Sequence, residues 1–551
     1  MQALEWVKFI GFGAFTLASQ GLAAQDAFDR TNPIQQVERD PSLDETEQRV
    51  RIEVQPVLDQ PLERGDTSTL SVGSVVIDGL EALNRSDFAM TIEPFIGRNL
   101  ERSELRKLTD AIADVARKRG FVLATAWIPE QALVGGMLRV RVDEGTIDDI
   151  RVEGSDDPAI RAQLSRLIGQ RPVTLAALQR EVLLADDLPG VWIRSTRFET
   201  ENQRRVLVVD ARREDFGGAV AVSTDGTRPV GPVRARIDLN ANGLISPRDR
   251  VDLSYSMTPL DPDELTFFSA RYSVIVNDAG TQIGLNGTYS QTQPGAYLAD
   301  RGIKGEAWQG GIRLRHPLLR TQKRSLWLEA SGEVQDLRQH WFDELMREDR
   351  IVVTRLGLYG FAPLAGGTFQ GRATVSQGLG IFDATQLGDP LASRTDAPDD
   401  FITLLWWLNW RRGIAPRVSL SLGASGQFST APLLIGESFA LGGNAFLRGY
   451  DFAQRVGDQG IAGSAELRYD WSDALGAVRN VQLYAFADGG TVTNLGDGVG
   501  GGTLASSGGG LRADITRYLD LDLELAVPLS EPRYDTGDNS PRINLRVVQS
   551  F

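Results

Sequence analysis

The sequence has no cysteine and only two histidines among its 551 residues. The absence of cysteine excludes disulfides, thiolate metal sites and thiol nucleophiles. His316 and His340 lie far apart in the sequence, so a histidine-based zinc site or a serine-histidine-aspartate triad has few candidates. The G-x-S-x-G, H-E-x-x-H and Walker phosphate-loop motifs are also missing. The sequence therefore predicts no enzyme, no catalytic residue, no metal and no cofactor.

Positive charge and long apolar runs are scarce as well. The chain has 58 Lys and Arg against 73 Asp and Glu, a formal net charge of -15. Because phosphate binding requires a surplus of basic side chains, we expect no nucleic-acid partner. Beyond the N-terminus no run of about 18 consecutive apolar residues occurs, so no membrane-spanning helix is predicted. If this protein crosses a membrane, it must do so as a β-barrel.

The N-terminus has the pattern of an export signal. Lys8 precedes an apolar run over 9–18, and small residues follow where a signal peptidase would cleave. This predicts a signal peptide over 1–24. Residues 25–69 are polar, acidic and interrupted by prolines, which is typical of a tether. A short plug helix around 34–38 is the alternative for this segment, although the sequence gives it no apolar stripe.

A compact α+β unit is predicted over residues 70–145, in the order strand, helix, helix, strand, strand. Its strands are expected at 70–77, 122–128 and 137–142, the last alternating apolar residues with arginine. Its second helix, over 102–119, has apolar residues at helical spacing on one side.

The same order of elements recurs over 146–211, which indicates a structural repeat. Its first helix is expected to carry an apolar stripe that extends to Ile168. Thr174 is the candidate N-cap of the second helix. Two such units therefore precede the rest of the chain in tandem.

From residue 212 to 551 the pattern changes to runs of roughly ten residues that alternate apolar and polar, separated by Gly, Pro, Asn and Asp. A crossing plus a connection takes roughly 21 residues, so the region allows about sixteen strands. An even number of strands places both barrel termini on one side. The fold prediction is a membrane β-barrel of about 16 antiparallel strands preceded by two α+β domains.

Motif residues are spread along the whole first unit at ordered spacing. They are Pro94, Phe95, Gln131, Gly136, Glu144 and Gly145. With their neighbours they resemble the first POTRA domain of two-partner secretion transporters, the TpsB proteins. The run Asp187-Leu188-Pro189-Gly190-Val191 is similar to the second POTRA domain of the same family.

The most specific motif is the run LGGNAFLRGY at 441–450, followed by Glu466-Leu467-Arg468 and later by FADGG at 486–490. Together they resemble the lid-loop signature of the Omp85/TpsB superfamily, in which the sixth extracellular loop, here around 436–458, folds back into the barrel. The resemblance implies that Arg448 pairs with Asp488 on the inner wall, and we expect Gly449 to let the loop tip turn sharply. The motif residues are Arg448, Gly449, Tyr450, Phe486, Asp488 and Gly489.

The C-terminal strand alternates apolar and polar residues and ends in Phe551. A closing aromatic residue of this kind resembles the assembly signal of outer-membrane barrels. It implies insertion by the barrel-assembly machinery and contact with outer-membrane lipid.

The resemblance implies a transporter in a Gram-negative outer membrane, with its POTRA domains in the periplasm. Its partner would be one large secreted exoprotein of the TpsA type with an N-terminal secretion domain, exported by two-partner (type Vb) secretion. The alternative is a general outer-membrane insertase of the same superfamily. The presence of only two POTRA-like units argues against that alternative.

Overall fold

The structure is a computed structural model that describes residues 31–32, 51–52, 69–202, 204–471 and 478–551. The predicted signal peptide and the predicted plug helix lie outside the described residues. In the part of the chain that is described, no helix is long and apolar enough to span a bilayer. A short strand, β1 (Arg51–Ile52), precedes the first unit.

The first α+β unit has a three-stranded sheet in the order β3-β6-β5 and a separate β2-β4 pair. Its strands are β2 (Leu70–Val72), β3 (Ser74–Asp78), β4 (Arg98–Leu100), β5 (Thr125–Trp127) and β6 (Met137–Asp143). Its helices are α1 (Ala89–Ile92), flanked by 3-10 turns at Arg85–Phe88 and Glu93–Phe95, and α2 (Arg102–Lys118). The apolar side of α2 packs in one core with the buried alternate residues of β6, which confirms the predicted helix and strand.

Two strand predictions in this unit were wrong in extent. The run expected at 70–77 is broken at Gly73, whose backbone N–H donates to the Gly136 carbonyl at 2.7 Å. The strand expected at 122–128 is limited to β5, because the chain is still turning after α2. The alternation of apolar and polar residues in the sequence does not predict such backbone contacts between distant segments.

The second unit repeats the order strand, helix, helix, strand, strand. Its elements are β7 (Asp149–Glu153), α3 (Pro158–Leu164), a 3-10 turn (Ser165–Leu167), α4 (Leu175–Asp186), β8 (Val191–Glu201) and β9 (Arg204–Arg213). The Thr174 side chain accepts a hydrogen bond from Ala177 N, which confirms the predicted N-cap. Ile168 lies beyond the 3-10 turn and is partly exposed, so its assignment to the first helix was wrong. The sheet order is β1-β8-β9-β7.

Sixteen described strands form a closed antiparallel barrel, which confirms the predicted fold class. The first eleven are β10 (Phe216–Ser223), β11 (Arg234–Asn242), β12 (Asp249–Met257), β13 (Thr266–Ile275), β14 (Gln282–Thr292), β15 (Ile303–Arg320), β16 (Ser325–Trp341), β17 (Glu344–Leu364), β18 (Gly367–Gly378), β19 (Ile402–Ala415) and β20 (Val418–Ser429). The last five are β23 (Gln459–Asp470), β24 (Asn480–Thr493), β25 (Gly502–Asp514), β26 (Leu519–Pro528) and β27 (Arg542–Ser550). Between the two sets, β21 (Phe439–Leu441) and β22 (Arg455–Gly457) form a separate hairpin in the loop after β20. Two further 3-10 turns lie at Ala296–Arg301 and Ile435–Glu437.

The barrel closes where β27 pairs with β10. Because β10 follows directly from the second unit, it leads away from that unit, and the connection 430–458 between β20 and β23 is the sixth on the far side. This connection is called the lid loop below. Along β11, Ile237 and Leu239 are exposed on the outer face, whereas Arg236 and Asp238 form an ion pair on the other face. The lumen is therefore lined by charge and the outside by apolar side chains.

The second unit is docked on the barrel turns at the end where β10 begins. Arg320, at the end of β15 and almost fully buried, donates two hydrogen bonds to the Asp187 carboxylate at 2.7 and 2.9 Å. Gln163 and Arg166 both donate to the Asp278 carbonyl, in the turn after β13. This arrangement fixes the POTRA-like repeat against the pore entrance.

A pH-dependent stability is expected at Asp186, the last residue of α4. Burial raises the pKa of its carboxyl to about 6, above the ordinary value of 3.8. Because the folded-state pKa is the higher one, the contribution to stability is present below pH 4 and is lost as the pH rises through 6. We expect Asp186→Asn to stabilise the second unit by about 1–3 kcal/mol at pH 7.5 and by almost nothing at pH 4.

Hydrogen exchange of the α4 and β8 amides in the full chain would measure this effect. The matched control is Asp187→Asn, which weakens the Arg320 contact and should not stabilise the unit at either pH. Equal protection of wild type and Asp186→Asn at pH 7.5 would contradict the assignment.

Candidate functional site

The lid loop turns back from the barrel rim on the side away from the second unit and lies inside the barrel. Its two limbs pair as the β21-β22 hairpin, and the tip between them reaches the inner wall formed by β23 to β26. Leu441, Leu447 and Tyr450 of the loop are buried against Val492 and Leu504 of the wall. Apolar packing against the wall therefore contributes to holding the tip in place, in addition to its charged contacts.

Arg448 is the charged residue of the tip, and its side chain is 7 % exposed. It binds the Asp488 carboxylate in a bidentate manner, with Nη2 to Oδ1 at 3.0 Å and Nε to Oδ2 at 3.1 Å. The Arg448 backbone N–H also donates to Asp488 Oδ2 at 3.1 Å. The guanidinium lies over the Phe486 ring, 3.4 Å from its centroid. The structure thus brings together the two residues that the motif match paired.

Two further carboxylates share the Arg448 guanidinium. Its Nη1 lies 2.8 Å from Glu466 Oε2 and 3.3 Å from Glu524 Oε2. Nη2 donates in addition to Ser464 Oγ at 3.1 Å. All three carboxylate side chains at the site are no more than 10 % exposed. One cation is therefore held by three buried anions, and Arg512, 2.8 Å from Glu466, supplies a second positive charge.

Strand register explains why these side chains converge. Asp488 of β24 pairs with Ser464 of β23, and Phe486 pairs with Glu466, so alternate residues of both strands face the lumen together. Gly508 of β25 lies opposite Phe486, and a Cβ there would come within 2.7 Å of the Phe486 ring. A glycine on the neighbouring strand thus makes the space for the ring under Arg448.

Gly449 lies in the tip turn, as expected, because the Tyr450 backbone N–H donates to the Leu447 carbonyl at 2.9 Å across Arg448 and Gly449. The turn begins at Leu447, whose φ is 61°. At Gly449 a Cβ would lie 2.8 Å from backbone atoms of Val527 and Pro528 and 2.9 Å from Ser506 Cβ. The position requires glycine because the loop backbone touches the wall backbone. The predicted turn is therefore present, and contact with the wall backbone is what excludes a side chain at this position.

Of the remaining motif residues, Tyr450 makes close contacts and Gly489 does not. Tyr450 is fully buried, and its hydroxyl accepts hydrogen bonds from the backbone N–H groups of Ser530 and Glu531, in the loop after β26. Gly489 makes no close approach, whereas a Cβ at its neighbour Gly490 would lie 3.1 Å from the Leu441 and Leu447 side chains. The packed glycine of the FADGG run is therefore the second one.

The first-unit motif residues shape the domain. The Gln131 side chain bonds the backbone of Arg139 in both directions, with Nε2 to O at 2.7 Å and N to Oε1 at 2.9 Å. Gly136 and Gly145 have positive φ, and a Cβ on Gly145 would lie 2.6 Å from Leu123 Cβ. Pro94 and Phe95 form the 3-10 turn before β4, and Phe95 packs on the core.

Glu144 is the buried carboxylate of this unit, and it accepts backbone hydrogen bonds from Ala82 at 2.7 Å and Leu83 at 2.9 Å. We expect Glu144→Gln to destabilise the first unit by about 1–3 kcal/mol, because one buried N–H then faces an amide group that cannot accept. Urea-dependent proteolysis of the full chain would detect the change. Glu130→Gln, at an exposed site, is the control, and equal sensitivity of both variants would contradict the role.

Comparison with known proteins agrees with this architecture. The family model described as haemolysin secretion/activation protein ShlB/FhaC/HecB matches residues 203–513, and the ShlB-type POTRA model matches residues 70–145. The chain belongs to the ShlB/FhaC/HecB family. It is a two-partner secretion transporter of the outer membrane, with its POTRA domains in the periplasm, and members of its family are transporters.

Individual relatives are distant but cover most of the transporter. The heme/hemopexin transporter protein HuxB of Haemophilus influenzae strain 86-028NP is 21% identical over 405 residues, which are 70% of this chain and 69% of HuxB. The outer membrane transporter CdiB of Escherichia coli is 23% identical over 496 residues, 85% of this chain and 80% of CdiB. The solved structure of CdiB from Escherichia coli superposes with a TM-score of 0.71 at 21% identity and covers 98% of this chain and 97% of that one.

Proposed function

We propose that the transporter exports one dedicated, large exoprotein whose unfolded N-terminal secretion domain is captured by the POTRA pair. The lid loop closes the pore at rest and shifts when the polypeptide enters. The observation that carries the proposal is the seating of Arg448 on Asp488, Glu466 and Glu524 inside the lumen. The β21-β22 hairpin pairs with no strand of the barrel, so the loop can be displaced without breaking the barrel sheet.

Capture is proposed to occur by β-augmentation, in which an extended segment adds a strand to a sheet edge. In the first unit the edge strands are β3 and β5. In the second unit the β8 edge pairs with β1, which leaves β7 as the other edge. Backbone recognition of this kind suits an unfolded substrate, because it requires no particular side chain.

Export needs no nucleotide in this proposal, since the sequence carries no Walker loop. The driving force is folding of the exoprotein outside the cell, which opposes the entropy cost of confining its chain in the pore. The transporter itself is proposed to reach the membrane through the barrel-assembly machinery, with Phe551 as the terminal signal. The Phe551 backbone pairs with Gly218 at the barrel seam, at 2.9 and 3.1 Å.

Locking the tip in place tests whether the lid must move. Asn444 of the tip lies beside Asp225 of the first extracellular loop, with Nδ2 2.5 Å from Oδ2. The natural chain has no cysteine, so an Asn444→Cys/Asp225→Cys variant can be joined by a short, cleavable thiol cross-linker. We expect cross-linking to stop secretion of the exoprotein and cleavage of the linker to restore it.

The matched control joins two wall residues, Ser269→Cys and Thr288→Cys, which pair directly across β13 and β14. This cross-link should leave secretion intact. Secretion that continues with the tip cross-linked would overturn the proposal that the lid moves during transport.

A further inference from the structure

The lid loop touches the barrel wall at a second place, far from its tip. The 3-10 turn Ile435–Glu437 lies just before the β21-β22 hairpin and rests on β16 and β17. Ile435 is buried with Ala307 and Leu337 of the wall. A Cβ on Gly436 would lie 3.0 Å from Ile351 Cδ1, so this turn is packed closely on β17. The segment 433–441 is called the loop root below.

An ion pair joins this root to the wall. Glu437 receives two hydrogen bonds from Arg355 of β17, with Nη2 to Oε1 at 2.5 Å and Nη1 to Oε2 at 3.0 Å. The two side chains are 5 % and 22 % exposed, respectively. A bidentate arginine-carboxylate pair in this geometry is both directional and strong. It is the same chemistry as the Arg448 site, with the charges exchanged between loop and wall.

The surroundings of Arg355 fix its guanidinium for this contact. Nη1 also donates to Ser376 Oγ of β18 at 2.7 Å, and Nε lies 3.5 Å from Glu333 Oε2 of β16. On the loop side, the Glu437 carbonyl accepts a hydrogen bond from Gln427 Nε2 of β20 at 2.8 Å. Both partners are therefore oriented independently of each other, which lowers the entropy cost of pairing.

The two contacts lie on different parts of the barrel circumference. Arg355 is on the eighth strand of the barrel and Asp488 on the thirteenth. A loop attached at both places crosses the lumen from one wall to another. Release of either attachment alone leaves the loop held by the other.

We propose that Glu437 and Arg355 form a second lock that holds the lid loop across the resting pore. The inference rests on the proposed lid function and adds positioning residues to it. Removal of the Glu437 charge leaves Arg355 beside Glu333 and Ser376, so the effect should be smaller than the loss of Arg448. Both locks must be absent for the loop to leave the lumen freely.

Single-channel recording of the full chain tests the second lock. In an Arg448→Met background, we expect Glu437→Gln to raise the occupancy of the largest conductance level by at least about tenfold, as for a lost hydrogen bond to a charged group. The matched control is Asp238→Asn, a lumen carboxylate paired with Arg236 of its own strand, which should change nothing. A heat-modifiability gel confirms that each variant is a folded barrel.

Thiol labelling gives a second readout that a general loss of stability would not mimic. Ser438→Cys places a single thiol next to Glu437 in a chain without other cysteines. We expect Glu437→Gln and Arg355→Met each to accelerate its reaction with a membrane-impermeant maleimide by about tenfold, and Asp238→Asn to leave the rate unchanged.

The outcomes separate this inference from the proposed function. If Arg448→Met opens the pore and Glu437→Gln changes neither conductance nor labelling, the second lock is wrong and the tip lock stands. If Arg448→Met leaves the pore closed while Glu437→Gln alone opens it, the tip lock is wrong and the root lock stands.

Discussion

Arg448→Met is expected to free the lid tip, so that the resting pore opens to large-conductance states while the loop root stays attached, and to abolish most secretion of the exoprotein. The substitution keeps the apolar length of the side chain but leaves Asp488, Glu466 and Glu524 without the cation that they share. Breaking a buried ion pair from one side costs about 3–5 kcal/mol. The ratio of seated to displaced lid should therefore fall by a factor on the order of 10² to 10⁴.

Planar-bilayer recording measures this effect as time spent in large-conductance states. Arg448→Lys should be intermediate, because an ammonium group cannot reproduce the bidentate contact with Asp488. Arg236→Met removes a lumen guanidinium that is paired within its own wall, and it should behave as wild type. A closed Arg448→Met pore would show that apolar packing of the tip suffices to seat the lid.

Gly449→Ala is expected to displace the lid almost as strongly as Arg448→Met. A methyl group there would lie 2.8 Å from backbone atoms of Val527 and Pro528, and backbone cannot give way as a flexible side chain can. Overpacking of this kind costs about 1–3 kcal/mol when neighbours can shift, and here the strand cannot. Recordings of Gly449→Ala should show frequent large openings.

The neighbouring motif supplies the matched control for this substitution. A Cβ at Gly489 would meet its nearest atom, Leu504 O, only at 4.0 Å. Gly489→Ala should therefore remain closed and secrete normally. Equal behaviour of the two alanine variants would contradict the close approach at Gly449.

The fold could be predicted from the sequence because the apolar residues of each part repeat at the spacing of a helix or of a strand. The helix α2 repeats at helical spacing, and the barrel strands alternate every second residue. The length of the region, at roughly 21 residues per strand, gave about sixteen strands, and the motif resemblance identified the lid loop as the sixth outer connection. The interruption at Gly73 was not accessible, because it depends on a contact with Gly136, which lies far away in the sequence.

The candidate site was only partly accessible. The pairing of Arg448 with Asp488 came from a motif match, and the structure places the two in contact. Glu466 belonged to the motif, but no contact was assigned to it. The role of Glu524 was missed, because Asp522 shares the same face of β26 and alternation cannot choose between the two. That choice depends on strand register and on how deep the loop tip reaches, which local sequence does not encode.

The Glu437 contact with Arg355 was missed for a related reason. Both residues belong to runs without any unusual motif, and they are 82 positions apart. By contrast, the POTRA motif residues Gln131, Gly136 and Glu144 were found easily, yet their contacts are with backbone groups of the same domain. The motif of that domain therefore reflects the contacts that shape the domain and does not identify a surface for a partner.

The most direct test of the account is quantitative proteomics of the culture medium and the outer membrane, in cells with and without this transporter. The account predicts the loss of one large protein from the medium, with the other outer-membrane barrels unchanged. A broad fall in many barrels would contradict a dedicated exporter and would indicate a general assembly factor instead. An unchanged medium would contradict export altogether.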